Sequence, residues 1–170
     1  MCLSVPFPGN LFGAFKCAQF VKQQYPHIKV ALGGGYANTE LRSLSDPRVF
    51  DYLDFVCLDD GEATLLSLIE FLEGKREQKN IKRIFVREKG EVVYCNGATE
   101  PDVPQKDTGT PDYSDLPLND YISVIEVVNP MHRLWSDGRW NKLTLAHGCY
   151  WGKCSFCDIS LDYIKNYEPL

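Results

Sequence analysis

Over residues 1–75 the apolar positions switch repeatedly between short continuous runs and a helical spacing. Residues 3–6 form an apolar run stopped by Pro6, Pro8 and Gly9. Leu11, Phe12, Phe15, Ala18 and Phe20 then recur as one helix face, which predicts a helix over residues 11–24 with Asn10 as its N-cap. Tyr25-Pro26 ends it, because the residue before a proline is pushed out of the helical region. A second strand is expected over residues 28–32, running straight into Gly33-Gly34-Gly35. A short helix over residues 39–44, with Glu40 in its first turn, breaks at Asp46-Pro47. A third strand over residues 53–58 ends at Asp59-Asp60-Gly61-Glu62. Leu65, Leu66, Leu68, Ile69 and Leu72 mark a helix over residues 63–73, which Gly74 can close. Apolar strands alternating with amphipathic helices imply parallel strands joined by crossover helices, the α/β class. Three strands are few for such a sheet, and the chain starts inside a strand signal, so it reads as a piece of a larger domain.

The pattern changes after residue 75. Residues 75–83 are densely charged and read as a solvated connection. Residues 84–87 and 91–94, separated by Glu88-Lys89-Gly90, predict a β-hairpin. Residues 96–118 hold Pro101, Pro104, Pro111 and Pro117 among Asp, Thr, Gly and Ser, the composition of a linker. Further strands are expected over residues 121–128 and 140–145. The second would deliver the chain to a cluster of cysteines. The domain plan is therefore a partial doubly wound α/β domain over residues 1–80, a hairpin and proline-rich linker over 81–139, and the opening of a second domain over 140–170.

Composition narrows the function classes. The chain has 170 residues, 44% hydrophobic and 24% charged, an ordinary soluble balance. Its formal net charge of −5 argues against a nucleic-acid partner, which would need a basic stripe. No apolar run approaches the roughly 18 residues of a membrane span, and the N-terminus lacks the pattern of a signal peptide. Of seven cysteines, Cys2, Cys17, Cys57 and Cys95 lie scattered, and Cys17 and Cys57 fall in apolar segments as small hydrophobes. The reading is a reduced, cytoplasmic protein whose clustered cysteines bind metal rather than form disulfides.

The cluster is Cys149, Cys154 and Cys157, in Ala-His-Gly-Cys-Tyr-Trp-Gly-Lys-Cys-Ser-Phe-Cys. The C-x4-C-x2-C spacing lets all three sulfurs reach one centre. Structural metal sites fill every position, whereas catalytic sites keep one open. Thiolates hold iron–sulfur clusters, Gly148 and Gly152 let the backbone bend around an inorganic core, and Tyr150, Trp151 and Phe156 can shield it. A zinc site using His147 as fourth ligand is the alternative. Its two-residue separation from Cys149 is tight, and zinc loops prefer paired knuckles. Three reduced cysteines with no metal are the plain alternative. Gly33-Gly34-Gly35 sits where an open parallel sheet binds ligands, outside the carboxyl end of a strand, though a tight strand–helix turn needs the same residues. Asp59, Asp60 and Glu62 suit the capping and dipole of the helix they precede, or an interface with a further domain. His132, Arg133, Trp135, Asp137 and Arg139, within residues 131–140, either cover the cluster in the intact enzyme or belong to a polar loop with two buried tryptophans.

An apolar strand ending in Gly148-Cys149, a short loop, then Cys154-Ser155-Phe156-Cys157 resembles the cluster-binding loop of the radical S-adenosylmethionine superfamily. The resemblance implies that Cys149, Cys154 and Cys157 hold a [4Fe–4S] cluster whose open iron chelates S-adenosylmethionine. Electron transfer there cleaves the sulfonium to a 5′-deoxyadenosyl radical, which abstracts hydrogen from a substrate. The commonest family spacing is C-x3-C-x2-C, so this chain carries one extra residue in the first interval. Ser4-Val5-Pro6-Phe7-Pro8 at one strand end and Gly33 to Tyr36 at the next, ahead of that loop, are similar to the second half of the cobalamin-binding domain found before many such barrels. By that resemblance Ser4, Gly33, Gly34, Gly35 and Tyr36 line the groove for the cobalamin nucleotide tail. The Asp-x-His-x-x-Gly loop of the first half is absent, and none of His27, His132 and His147 has its context, so no lower ligand to cobalt is expected from this chain.

The implied fold is a partial Rossmann-like, doubly wound cobalamin-binding domain followed by the truncated start of a radical S-adenosylmethionine barrel. The implied parent is an iron–sulfur oxidoreductase or methyltransferase acting on a small-molecule or peptide substrate. Without most of the barrel that orients reactants, this chain alone is expected to be inactive. A bare sheet edge is expected to favour self-association. The rival is a non-enzymatic α/β binding module with a zinc-binding cysteine tail.

Overall fold

The computed structural model describes residues 1–110, 112–117, 120 and 145–169. They divide into two compact units, Met1–Val103 and Pro104–Leu170. The first is built on a five-stranded mixed sheet in the order β1-β2-β3-β4-β5. Its strands are β1 (Cys2–Ser4), β2 (Ala31–Gly33), β3 (Phe55–Cys57), β4 (Ile84–Glu88) and β5 (Glu91–Cys95). β1, β2 and β3 run parallel, with Leu3 opposite Leu32 and Leu32 opposite Val56. Helix α1 (Pro8–Gln24) connects β1 to β2, and α2 (Gly35–Glu40) with a 3-10 turn (Pro47–Asp51) connects β2 to β3. Helix α3 (Gly61–Leu72) follows β3.

Successive strand residues point to opposite faces, which sorts the core into two layers. Leu32, Val56 and Phe85 face a cluster containing Ala18 of α1 and Ala37 of α2. Ala31, Phe55, Cys57, Ile84 and Val86 face Leu68 and Phe71 of α3. Because helices cover both faces, β2 and β3 are apolar throughout rather than alternating. Leu32, Leu53, Ile81 and Ile84 are fully buried, and each contributes about 1.5–3 kcal/mol by leaving water.

Several expectations are corrected. The N-cap of α1 is Phe7 with Pro8 at the first helical position, so Asn10 lies inside the helix and caps nothing. Proline's fixed φ and missing N–H suit that first position. Tyr25 does close α1. Phe12 and Phe20, expected on its buried face, are exposed at 74% and 57%, and the packed positions are Leu11, Ala14, Phe15, Ala18 and Val21. Leu66, Ile69 and Leu72 of α3 are likewise exposed. Helix α2 starts four residues early, because Gly34 at φ +95° turns the chain at once, and Glu40 ends the helix instead of opening it. Asp46 accepts from the Arg48 N–H at 3.0 Å and starts the 3-10 turn rather than a simple break.

The hairpin forms as expected, but it belongs to the sheet. β4 pairs antiparallel with β3, through Val56 opposite Phe85 and Cys57 opposite Ile84. The charged stretch before it is not merely solvated. Ile81 is fully buried, Lys82 is buried, and the Lys82 N–H donates to the buried Ser67 hydroxyl at 3.0 Å. A charge-rich run of sequence hides this because its long side chains reach partners from a buried backbone.

In the second unit β6 (Ala146–His147) pairs antiparallel with β7 (Glu168–Pro169), and a single-turn helix α4 (Asp162–Lys165) precedes β7. The strand expected over residues 121–128, that over 140–145 apart from Leu145, and the segment 131–140 lie outside the described residues. Among the described residues no helix is long and apolar enough to cross a membrane.

Candidate functional site

The parallel strands bring the first set of candidate residues together at their carboxyl ends. Ser4 lies opposite Gly33, the Val5 N–H donates to the Gly33 carbonyl at 2.8 Å, and the Tyr36 N–H donates to the Val5 carbonyl at 2.9 Å. The glycines have a specific reason to be there. A Cβ on Gly34 would stand 2.9 Å from the Ser4 hydroxyl oxygen and from the Val5 nitrogen and oxygen, and one on Gly35 would stand 2.9 Å from the Pro6 carbonyl oxygen. The space these two glycines leave open is filled by Ser4 at the end of β1 and by Val5 and Pro6 just after it. Ser4 and Gly35 are exposed on the surface of this turn, and Gly33, Gly34 and Tyr36 are half-buried. Two surface cavities lie elsewhere, one of 460 Å³ beside Gln78 and Cys95 and one of 380 Å³ beside Asp54 and Phe71.

The acidic run after β3 does more than cap α3. Asp60 is the N-cap residue, without a side-chain capping bond, and Glu62 sits in the first turn where the dipole favours it. Asp59 takes a different role. Its carboxylate pairs with the Arg42 guanidinium, lies 3.7 Å from Arg83 Nε, and its N–H donates to Asn38 Oδ1 at 2.7 Å. Asn38, Arg42 and Arg83 escaped the sequence reading. Arg83 was hidden in the charged run, and only its place just before β4 hinted at a partner.

The third set is the cysteine loop of the second unit. Gly148 has φ +74°, and a Cβ there would fall 2.0 Å from the Asn166 carbonyl oxygen, so only glycine permits this approach. The Cys149 N–H donates to the Ile164 carbonyl at 2.9 Å, which anchors the first cysteine beside α4. Gly152, at φ +57°, then turns the chain back so that its N–H donates to Cys149 Sγ at 3.5 Å. Cys149 and Cys157 are half-buried and Cys154 is exposed, all as free thiols. Among the described residues no three His, Cys, Asp or Glu side chains are gathered closely enough to hold a metal ion. The aromatic residues do not close over the loop: Tyr150 is 80% exposed and Phe156 is 96% exposed. Lys153 Nζ stands 5.7 Å over the Trp151 ring.

The scattered cysteines behave differently. Burial pushes the Cys57 thiol up to about 12, with Cys2 adding a smaller effect, so Cys57 stays protonated at neutral pH. It is a packing residue under α3 rather than a ligand. No family model matches the chain, and no curated protein matches it.

Proposed function

We propose that Cys149, Cys154 and Cys157 are the ligands of a [4Fe–4S] cluster in an enzyme that cleaves S-adenosylmethionine reductively. The carrying observation is the loop itself: three accessible thiols within nine residues, a glycine before the first, and a backbone N–H already directed at the first sulfur. The donor set fits a thiolate-bound cluster in kind and number. The loop is open, so binding would have to gather the thiolates, in the usual coupling of metal binding to local folding. Bound there, the cluster would supply an electron to the sulfonium of S-adenosylmethionine. The chain's own contribution is to present three sulfurs, fix Cys149 against α4, and leave one position without a protein ligand.

Support for cobalamin as a second cofactor is narrower. The turn at Gly33, Gly34, Gly35 and Tyr36 stands at the carboxyl ends of parallel strands, where open sheets receive nucleotides. Yet Gly34 and Gly35 make room for β1, so Ser4 and Tyr36 are the side chains left to meet a nucleotide tail. We also propose that the chain pairs with itself along β1 and that, by itself, it has no S-adenosylmethionine-cleaving activity.

The test is anaerobic reconstitution of the full chain with iron and sulfide. The expected result is the broad visible absorbance of a cluster with about four irons per chain, lost when any one of Cys149, Cys154 and Cys157 becomes alanine. Stoichiometric zinc with no such band, or loading that survives all three substitutions, overturns the reading.

A further inference from the structure

One group of charges lies outside both the cysteine loop and the glycine turn, and the chemistry above does not use it. Leaving β5, the chain runs back along the segment 76–83 and is fastened to it at four points. The Gly97 N–H donates to the Lys79 carbonyl at 3.0 Å. Arg76 pairs with Glu100 at 2.6 Å. Lys82 Nζ donates to the Glu100 carbonyl at 2.5 Å and lies 3.2 Å from Asp102. Arg83 grips Asp102 with both terminal nitrogens, at 2.8 and 2.5 Å. Residues 97–102 therefore form a strap.

Arg83 is the unusual member. Its side chain is only 11% exposed, and it adopts φ +52°, a left-handed conformation that a non-glycine residue keeps only when its surroundings hold it there. Asp59, on the other side of its guanidinium, does the same at φ +61°. The two backbones are adjacent, since the Leu58 N–H donates to the Arg83 carbonyl at 3.0 Å. Arg83 Nε is buried without a hydrogen bond, 3.7 Å from the Asp59 carboxylate that Arg42 already holds. Asp59 is thus shared between the end of α2, through Asn38 and through Arg42 just beyond the helix, and the guanidinium that grips the strap.

We infer that Asp59 and Arg83 are positioning residues that couple the turn at the carboxyl end of β3 to the strap over residues 97–102. The order of the strap then depends on Asp59, a residue that does not touch it. The consequence is a conformational device: any event that draws the Asp59 carboxylate away from Arg83 loosens the outgoing chain.

Amide hydrogen exchange on the full chain, read by mass spectrometry, tests this with peptides covering residues 97–102 and, as reference, residues 11–24. Asp102→Asn, at a half-exposed position, cuts the strap directly and should raise exchange of 97–102 about tenfold, the scale of losing a charge-assisted pair. Asp59→Asn should raise it about threefold or more without a matching rise over residues 11–24. Exchange of 97–102 that stays at the wild-type rate in Asp59→Asn, or rises only in parallel with residues 11–24, overturns the coupling. An unchanged rate in Asp102→Asn overturns the strap itself.

Discussion

At the scale of single residues, the glycines separate into those the fold requires and those it does not. Gly34 combines φ +95° with three backbone or hydroxyl atoms 2.9 Å from where a Cβ would sit. Gly34→Ala is therefore expected to destabilise the chain by about 1–3 kcal/mol, the range for left-handed strain. Gly13, in the middle of α1, faces open space, and Gly13→Ala in the same urea titration serves as the arm that should gain about 0.5–1 kcal/mol from better helix propensity. An unchanged urea midpoint in Gly34→Ala would show that β1 can move aside. The glycine run was legible in the sequence as a special turn. What it was special for was not, because the neighbour that forces it comes from a strand nearly thirty residues earlier.

At the scale of elements, Asp54 ties α1 to the two central strands. Its carboxylate pairs with Lys22 near the end of α1, lies 3.3 Å from Lys29, and accepts the Val30 N–H at 2.8 Å. Burial alone would raise its pKa, but Lys22, the Val30 N–H and Lys29 prevail and hold it below the ordinary value of 3.8. A carboxylate with a depressed folded-state pKa adds stability that is complete above the unfolded value and is lost as pH falls through the folded one. Asp54→Asn should accordingly lower the urea midpoint at neutral pH, and the gap from wild type should close below about pH 4. A gap of equal size at neutral and acid pH would remove charge from the explanation. Periodicity exposed α1, α3 and the hairpin, since each is set by neighbours a few residues apart. It could not reveal that β4 joins β3 antiparallel, which is decided by which sheet edge the hairpin finds.

At the scale of the molecule, β1 is the edge of the five-stranded sheet. The Val5 N–H and the Met1 carbonyl point toward β2, so the backbone groups of Cys2 and Ser4 point outward. Among the described residues nothing pairs with this edge, and an unpaired parallel edge is a template for another strand. Light scattering of the wild-type chain should show mass rising with concentration, and Cys2→Pro, which removes an outward donor and leaves β2 pairing intact, should return it to a monomer. A strictly monomeric wild type at high concentration would dismiss the edge as an association site. The same view separates the two candidate sites: the glycine turn belongs to the unit Met1–Val103 and the cysteine loop to the unit Pro104–Leu170.

What the sequence determined by itself is local. Hydrophobic spacing specified an α/β chain with parallel strands and a following hairpin, and cysteine spacing specified a three-cysteine loop, because those features depend on residues close together in the chain. Only the tertiary structure decided that the hairpin joins β3 antiparallel, that Phe12 and Phe20 point outward, and that a run of charges is half interior. It also showed that Gly34 yields to β1 and that Asp59 shares its carboxylate between Arg42 and Arg83. Each of these is a contact between residues distant in sequence. Close packing and the pairing of buried charge select such contacts, and no local pattern encodes them.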